Sequence, residues 1–162
     1  MCSSDLAIEQ AKWGLSRLAR DHARNPVQWS SEKHAGFSTV QPWMRVNDTY
    51  TEINAADEEK DPQSVLNFYR KALQLRADHI DVLGHGLFRI TDPADDHTLV
   101  FAKIGNDNKI AVVTLNFTTD EQKINLPKEA SGKQLSLALG THKYAGEEKV
   151  LRPLEGRIYF AQ

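Results

Sequence analysis

Apolar and polar residues follow three different rhythms along this chain of 162 residues. Ala7, Ile8, Ala11, Leu15, Leu18 and Ala19 recur at roughly helical spacing and predict an amphipathic helix over 7–20. Asn25-Pro26 stops that run, because the residue before a proline is pushed out of the α region. From 25 to about 60 no period persists. Pro26, Gly36 and Pro42 punctuate the stretch, while Trp29, Phe37, Trp43, Met44, Tyr50 and Ile53 recur irregularly. So long a segment without a period is uncommon inside a compact domain and is usually functional. Here it predicts a structured loop pinned by its aromatics.

A second helix is predicted over 62–79. Asp61 is a suitable N-cap and Pro62 fits the first turn, and Val65, Phe68, Tyr69, Ala72 and Leu75 trace one face. Gln74, Arg76 and Asp78 face away, so the helix should lie against something apolar. After Gly84 the period becomes two. LFRIT (87–91), LVFAKI (99–104), KIAVVTLNF (109–117), QKINL (122–126), QLSLAL (134–139) and GRIYFA (156–161) read as strands. Asp92-Pro93, Gly132 and Gly146 separate them, and Gly105-Asn106-Asp107-Asn108 between two alternating runs predicts a hairpin. Six short strands at this spacing suggest an antiparallel sandwich.

Composition adds exclusions. Apolar residues make up 40% and charged residues 26%, with a formal net charge of -2, a balance that advertises no nucleic-acid partner. Apolar runs such as IAVV at 110–113 are far too short to cross a membrane. Cys2 is the single cysteine, so no internal disulfide can form. The opening MCSSDLAIEQ lacks the basic and apolar regions of a secretory signal, which favours a cytoplasmic setting. Cys-Ser-Ser-Asp-Leu is also what one frame of a common sequencing adapter encodes. Residues 1–6 are therefore expected to be non-native and the gene cut at its 5′ end, which leaves the complete protein's targeting open.

The six histidines, His22, His34, His79, His85, His97 and His142, show no i, i+4 pairing and no cysteine partners, so no metal is expected. Neither a G-x-S-x-G elbow nor a phosphate-cradling loop is present; LGHG (83–86) lacks the helix that should follow it. No cofactor is expected. Asp57-Glu58-Glu59 and Asp95-Asp96 lie in hydrophilic runs and read as solvated charge. There remains RDHARNPVQW (20–29), too polar for a core and too patterned for a linker. Arg24 can offer a fixed fork of donors to a carboxylate or to sugar hydroxyls. Arg20, Asp21, His22 and Arg24 equally fit ordinary ion pairs that cap the first helix.

Several ordered blocks carry a resemblance. RDHARNPVQW, HAGFS (34–38), PWMRVNDTY (42–50), EIN (52–54) and DPQSVLNFYRKALQLR (61–76) resemble the α-glucosidase and oligo-1,6-glucosidase branch of the α-amylase superfamily of glycoside hydrolases. The closing LRPLEGRIYFAQ is similar to the last strand of those enzymes. The likeness is dense over about 17–83 and collinear, though weaker, from 84 onward. Asn25 and Val27 depart from the threonine and methionine usual there, which touches fine substrate preference rather than membership.

The resemblance implies an α+β chain: the end of a (β/α)8 barrel over 7–83, closed by the helix at 62–79, then a C-terminal antiparallel β-sandwich over 84–162. Active sites of such barrels lie on loops at the C-terminal ends of the strands, and the 20–60 segment would be one. The family's aspartate nucleophile, glutamate acid/base and supporting aspartate belong to motifs upstream of RDHAR that match nothing here. The chain would then hold part of a retaining glycosidase for maltose- or isomaltose-type oligosaccharides, inactive without the missing N-terminal barrel. The arginine that matches Arg24 pairs with an N-terminal aspartate and helps bind the terminal glucose, so Arg24 is the expected substrate-binding residue and no catalytic residue is expected in this chain. Trp29, Phe37 and Trp43 should then be exposed, and residues 84–162 well packed. The alternative is a non-catalytic β-sandwich that binds carbohydrate or braces the barrel. Alternation places Phe88, Phe101, Phe117, Tyr144, Tyr159 and Phe160 mostly inside, which favours bracing.

Overall fold

The computed structural model describes residues 3–18, 20, 23–142 and 148–161. Cys2, Ala19, Asp21, His22, Tyr144 and Gly146 lie outside the described residues. The chain forms two compact units, Met1–Asn67 and Phe68–Gln162, a division that falls earlier than the 83/84 junction expected from the sequence.

In the first unit, α1 (Ser3–Leu18) covers most of the predicted helix but begins earlier. The irregular stretch that follows is held by backbone bonds rather than by buried rings. Trp29 N–H and Ser30 N–H both donate to the Ala35 carbonyl, at 2.9 and 3.0 Å, and Ala55 N–H and Ala56 N–H donate to the Gln28 and Trp29 carbonyls at 2.9 and 3.0 Å. Trp29, Phe37, Trp43 and Ile53 are exposed, so the expectation that aromatics pin this loop is corrected. A short helix, α2 (Ala55–Glu58), is capped by Asn54, whose Oδ1 accepts from Asp57 N–H.

Helix α3 (Val65–Asp78) starts three residues later than predicted. Asp61 does act as a cap, but of a preceding turn: its Oδ1 accepts from Gln63 N–H at 2.8 Å. The cap of α3 is Ser64, whose Oγ accepts from Asn67 N–H at 3.2 Å, while the Glu58 carboxylate takes Leu66 N–H at 3.0 Å. Two of the helix's orphan donors, at its electropositive end, are thereby satisfied. The predicted apolar face is only half covered: Phe68, Ala72 and Leu75 are half-buried, whereas Val65 and Tyr69 are exposed.

The second unit is built on antiparallel strands. Five of them, β1 (Leu87–Ile90), β2 (Thr98–Ile104), β3 (Ile110–Asn116), β5 (Leu135–Gly140) and β7 (Gly156–Ala161), form one sheet in the order β1-β2-β3-β7-β5. The other two, β4 (Gln122–Lys123) and β6 (Val150–Leu151), form a two-stranded ribbon. QKINL contributes only Gln122 and Lys123 to the strand, with Ile124 N–H donating to the Lys149 carbonyl at 3.0 Å beyond it, and β6, too short to carry a period, has no signature in the sequence. The predicted hairpin joins β2 to β3. Asp107 and Asn108 take φ of 56° and 58°, and Gly105 N–H closes the turn on the Lys109 carbonyl at 2.8 Å. Central β3 is buried at Ile110, Ala111, Val112, Val113, Thr114 and Asn116, so both its faces are covered and its sequence is a near-continuous apolar run rather than an alternation.

Ala102, Ile110, Val112, Ala130 and Tyr159 form one core cluster, and Val100, Ile124 and Leu151 a second, with Leu126 packed against both. Alternation succeeds for Tyr159 but not for the rings near the sheet's margins. Phe101 and Phe160 are half-buried, Phe88 on edge strand β1 is exposed, and Phe117, one residue beyond β3, is 63% exposed. The glycine at the end of LGHG has a packing role: a Cβ on Gly86 would fall on the Val82 carbonyl oxygen.

Strand β7 opens with a buried ion cluster. Glu155 is 2% exposed and Arg157 1% exposed, and Arg157 donates to both Glu155 oxygens, from Nε at 2.8 Å and Nη2 at 2.6 Å. Its remaining donors reach the Tyr159 hydroxyl at 3.2 Å and the Val150 carbonyl of β6 at 3.0 Å. Arg152 completes the cluster, donating to Glu155 from its backbone N–H at 2.8 Å and from Nη2 at 2.6 Å. Burial alone would push the Glu155 carboxyl up. The bonds from Arg152 and Arg157 outweigh it and hold the group well below the usual carboxylate range. Replacing Glu155 by glutamine should destabilise this unit by about 3 kcal/mol, because Arg157 is left buried without its counter-charge. The depressed carboxyl stabilises the fold fully above the ordinary glutamate value of about 4.3 and progressively less as pH falls below it. Urea unfolding at pH 7 and at pH 3 should therefore separate wild type from E155Q widely at the first and narrowly at the second.

Candidate functional site

The stretch around Arg24 is an extended strip anchored from below. After α1 the chain turns, with Ala23 N–H donating to the Arg20 carbonyl at 3.2 Å, and Arg24 and Asn25 form an exposed bend. Pro26 is buried directly behind them. Gln28 then ties the strip to the 49–53 segment, its Nε2 donating to the Ile53 carbonyl and, at 3.5 Å, to Thr49 Oγ1. Arg24 thus stands exposed at the start of a strip whose following residues are bonded in place. Among the described residues no carboxylate pairs with it.

Behind the strip, Asn54 is a buried hub that sequence reasoning passes over. Besides capping α2 through Oδ1, it donates from Nδ2 to the Tyr50 carbonyl at 3.0 Å and to Asp57 Oδ2 at 2.8 Å. The motif EIN places it without revealing these roles, since asparagine is common on surfaces. A second feature, the turn at His34 and Ala35, is equally silent in sequence: both residues are left-handed, with φ of 59°, and only the following Gly36 signals such a turn. Trp29, Phe37 and Trp43 are exposed, Trp43 by 86%.

The acids behave as solvated or capping groups. The Asp57 carboxyl is lowered by its hydrogen bond from Lys60 and then by that from Asn54. Asp95 is lowered by the Thr98 hydroxyl and the His97 and Thr98 amides. A glycoside-cleaving acid needs the opposite shift, a carboxyl raised by an apolar pocket so that it holds its proton. The solvated-charge expectation is corrected at Glu58, which is half-buried and accepts from Leu66 N–H at the start of α3. Among the described residues no group of three histidine, cysteine or acidic side chains comes together as a metal site. His79 instead packs its ring 4.4 Å from that of Phe160.

With this geometry in hand, comparison with known proteins is specific. The pattern that defines the α-amylase catalytic domain matches residues 3–86. An α-glucosidase of Candida albicans is 41% identical over 145 residues, which cover 90% of this chain and 25% of the relative. A probable oligo-1,6-glucosidase of Bacillus subtilis is 36% identical over 143 residues, covering 87% of this chain and 25% of the relative. Among solved structures, a trehalose-6-phosphate hydrolase of Bacillus licheniformis superposes with a TM-score of 0.83 at 29% identity, over 91% of this chain and 27% of that one. The chain spans about a quarter of the length of the curated relatives it matches.

Asn54→Ala should loosen the frame that holds the strip. Loss of the cap and of two donor bonds from a buried site should cost about 2 kcal/mol. Amide hydrogen exchange is the direct measure: protection should fall at Asp57 and Glu58, whose amides lie in the capped turn, while β3 amides stay unchanged.

Proposed function

Because the chain belongs to the α-amylase family of glycoside hydrolases, in its α-glucosidase and oligo-1,6-glucosidase branch, we propose that it forms part of an enzyme releasing terminal α-linked glucose from maltose- or isomaltose-type oligosaccharides. The reaction is retaining on this reading, with the nucleophile, the acid/base and the supporting aspartate on polypeptide upstream of this chain. Residues 7–83 then close the catalytic barrel and residues 84–162 form its C-terminal β-sandwich. The barrel-closing part contributes a binding wall rather than reacting groups.

The observation that carries this reading is Arg24: an exposed guanidinium on a fixed strip, with no carboxylate partner among the described residues, within the block that most resembles the family. A planar fork of donors suits a sugar end rich in hydroxyls and an aspartate beside it. Trp29 and Trp43, bare on the same unit, are what an adjoining barrel would cover. A non-catalytic binding module finds no parallel in the three relatives above, all of which carry the names of hydrolases.

Two measurements test the proposal. The 162-residue chain alone should release no nitrophenol from an aryl α-glucoside, and release by it would overturn the division of labour. In the complete enzyme, Arg24→Ala should lower kcat/KM by about ten- to a hundredfold, the worth of a charged hydrogen bond to substrate. Arg24→Lys should recover little, since it restores the charge without the fork.

A further inference from the structure

The turn at residues 34–36 is strained and yet rigidly held. His34, Ala35 and Gly36 take φ of 59°, 59° and 64° in succession. Glycine enters that region freely, but for His34 and Ala35 the Cβ crowds a carbonyl oxygen. The turn is kept in place on every side. Ala35 is fully buried, its carbonyl accepts from two amides, and its own N–H donates to the Glu32 carbonyl at 2.8 Å. Phe37 N–H donates back to the His34 carbonyl at 3.0 Å. Gly36 sits so near Ser30 that a Cβ would lie 2.5 Å from its Oγ. A glycine at 34 would turn the same corner without strain. Strain held where a relaxed residue would serve is a mark of presentation rather than stability.

What the turn presents is a half-buried imidazole and the Phe37 ring, 48% exposed. Both line an open depression of about 810 Å³ together with Glu32, Lys33, Ser38 and Thr39. The polar lining contains an acid, an ammonium and two hydroxyls, so it favours a neutral, hydroxyl-rich ligand over an ion of either sign. The exposed ring adds a flat apolar platform of the kind that lies against the C–H face of a pyranose. Phe37 differs from the other bare rings of this unit in having that polar company. The turn also hangs from the strip that carries Arg24, through the bonds from Trp29 and Ser30 to Ala35.

We propose that Phe37 and His34 contact the sugar ring on the leaving-group side of the scissile bond, and so favour substrates that carry a second ring. This rests on the reading of Arg24 as a contact to the terminal glucose. The test uses the complete enzyme and two substrates: α-glucosyl fluoride, whose leaving group has no ring, and whichever of maltose or isomaltose wild type cleaves faster. Phe37→Ala should lower kcat/KM for the disaccharide by about tenfold or more while leaving the fluoride within about twofold. His34→Gly, which removes the imidazole and relieves the turn, should show the same selective loss with no fall in Tm. Phe37→Leu, which keeps an apolar side chain without the ring, serves where the alanine variant does not fold. Equal losses on both substrates, or none on either, would overturn the proposal and leave the Arg24 reading intact. A wild-type enzyme inert toward the fluoride would remove the proposed function and this contact with it.

Discussion

A carboxylate clasped between two guanidinium groups is the constraint on which the second unit turns. Glu155 and Arg157 are both buried, and neither could be so alone, because an isolated charge taken out of water costs several kcal/mol. Once paired, they fix more than each other. Arg157 reaches from β7 to the Val150 carbonyl of β6, so the two-stranded ribbon is tied to the main sheet by the same group that satisfies the charge. Asn116 extends the clasp from the end of β3: its N–H donates to the Glu155 carbonyl and its side-chain amide to the Arg152 and Asp120 carbonyls, each at 2.8 Å. The ribbon is too short to hold itself by ladder bonds, and this polar knot, with the Val100–Ile124–Leu151 cluster, accounts for its position.

The first unit is held on a different principle. Its buried residues are few and small, notably Pro26, Ala35, Asn54 and Ser64, while its large apolar side chains stand in solvent. Order comes from local polar bonds: Ser64 and Glu58 at the start of α3, Asn54 at the start of α2, and the doubly bonded Ala35 carbonyl. Such bonds define a path precisely enough to aim a side chain but contribute about 1 kcal/mol each, whereas burial of one large side chain contributes about 1.5–3 kcal/mol. The contrast separates the two roles proposed for the chain, a wall that needs shape and a domain that needs a core.

Much of this was legible in the sequence, for identifiable reasons. Strand β2 declares itself because its two faces are covered unequally, and GNDN declares its hairpin because Asn and Asp tolerate the left-handed conformation. What escaped was whatever depends on distant partners. Arg157 sits inside a strand where alternation alone would put an aliphatic residue, and Glu155, the Tyr159 hydroxyl and the Val150 carbonyl make it tolerable there. Strand β6 exists through its pairing with β4, and Phe88, although its ring lies 4.8 Å from that of Phe101, stays 49% exposed on edge strand β1. His34 and Ala35 give no warning of their φ, since nothing in their chemistry asks for it. The RDHAR block was legible as a resemblance, whereas the anchoring of Arg24 through Pro26, Gln28 and Asn54 emerges only from the fold.

The placement of charge follows from these two modes of support. Where a guanidinium is buried, as in Arg157, every donor must be matched within the protein, and the group is then unavailable for anything else. Where it stands exposed, as in Arg24, with no carboxylate partner among the described residues, the path of the strip that follows has already been set by the fold. A ligand that meets such a group need only displace water, and the entropy of ordering the strip does not count against binding. Two acids of this chain are organised in the reverse sense. Asp57 and Asp95 are already engaged and held in their ionised forms, the state least suited to donating a proton to a departing sugar. Under the function proposed above, that arrangement suits a part that holds a sugar better than one that breaks its glycosidic bond.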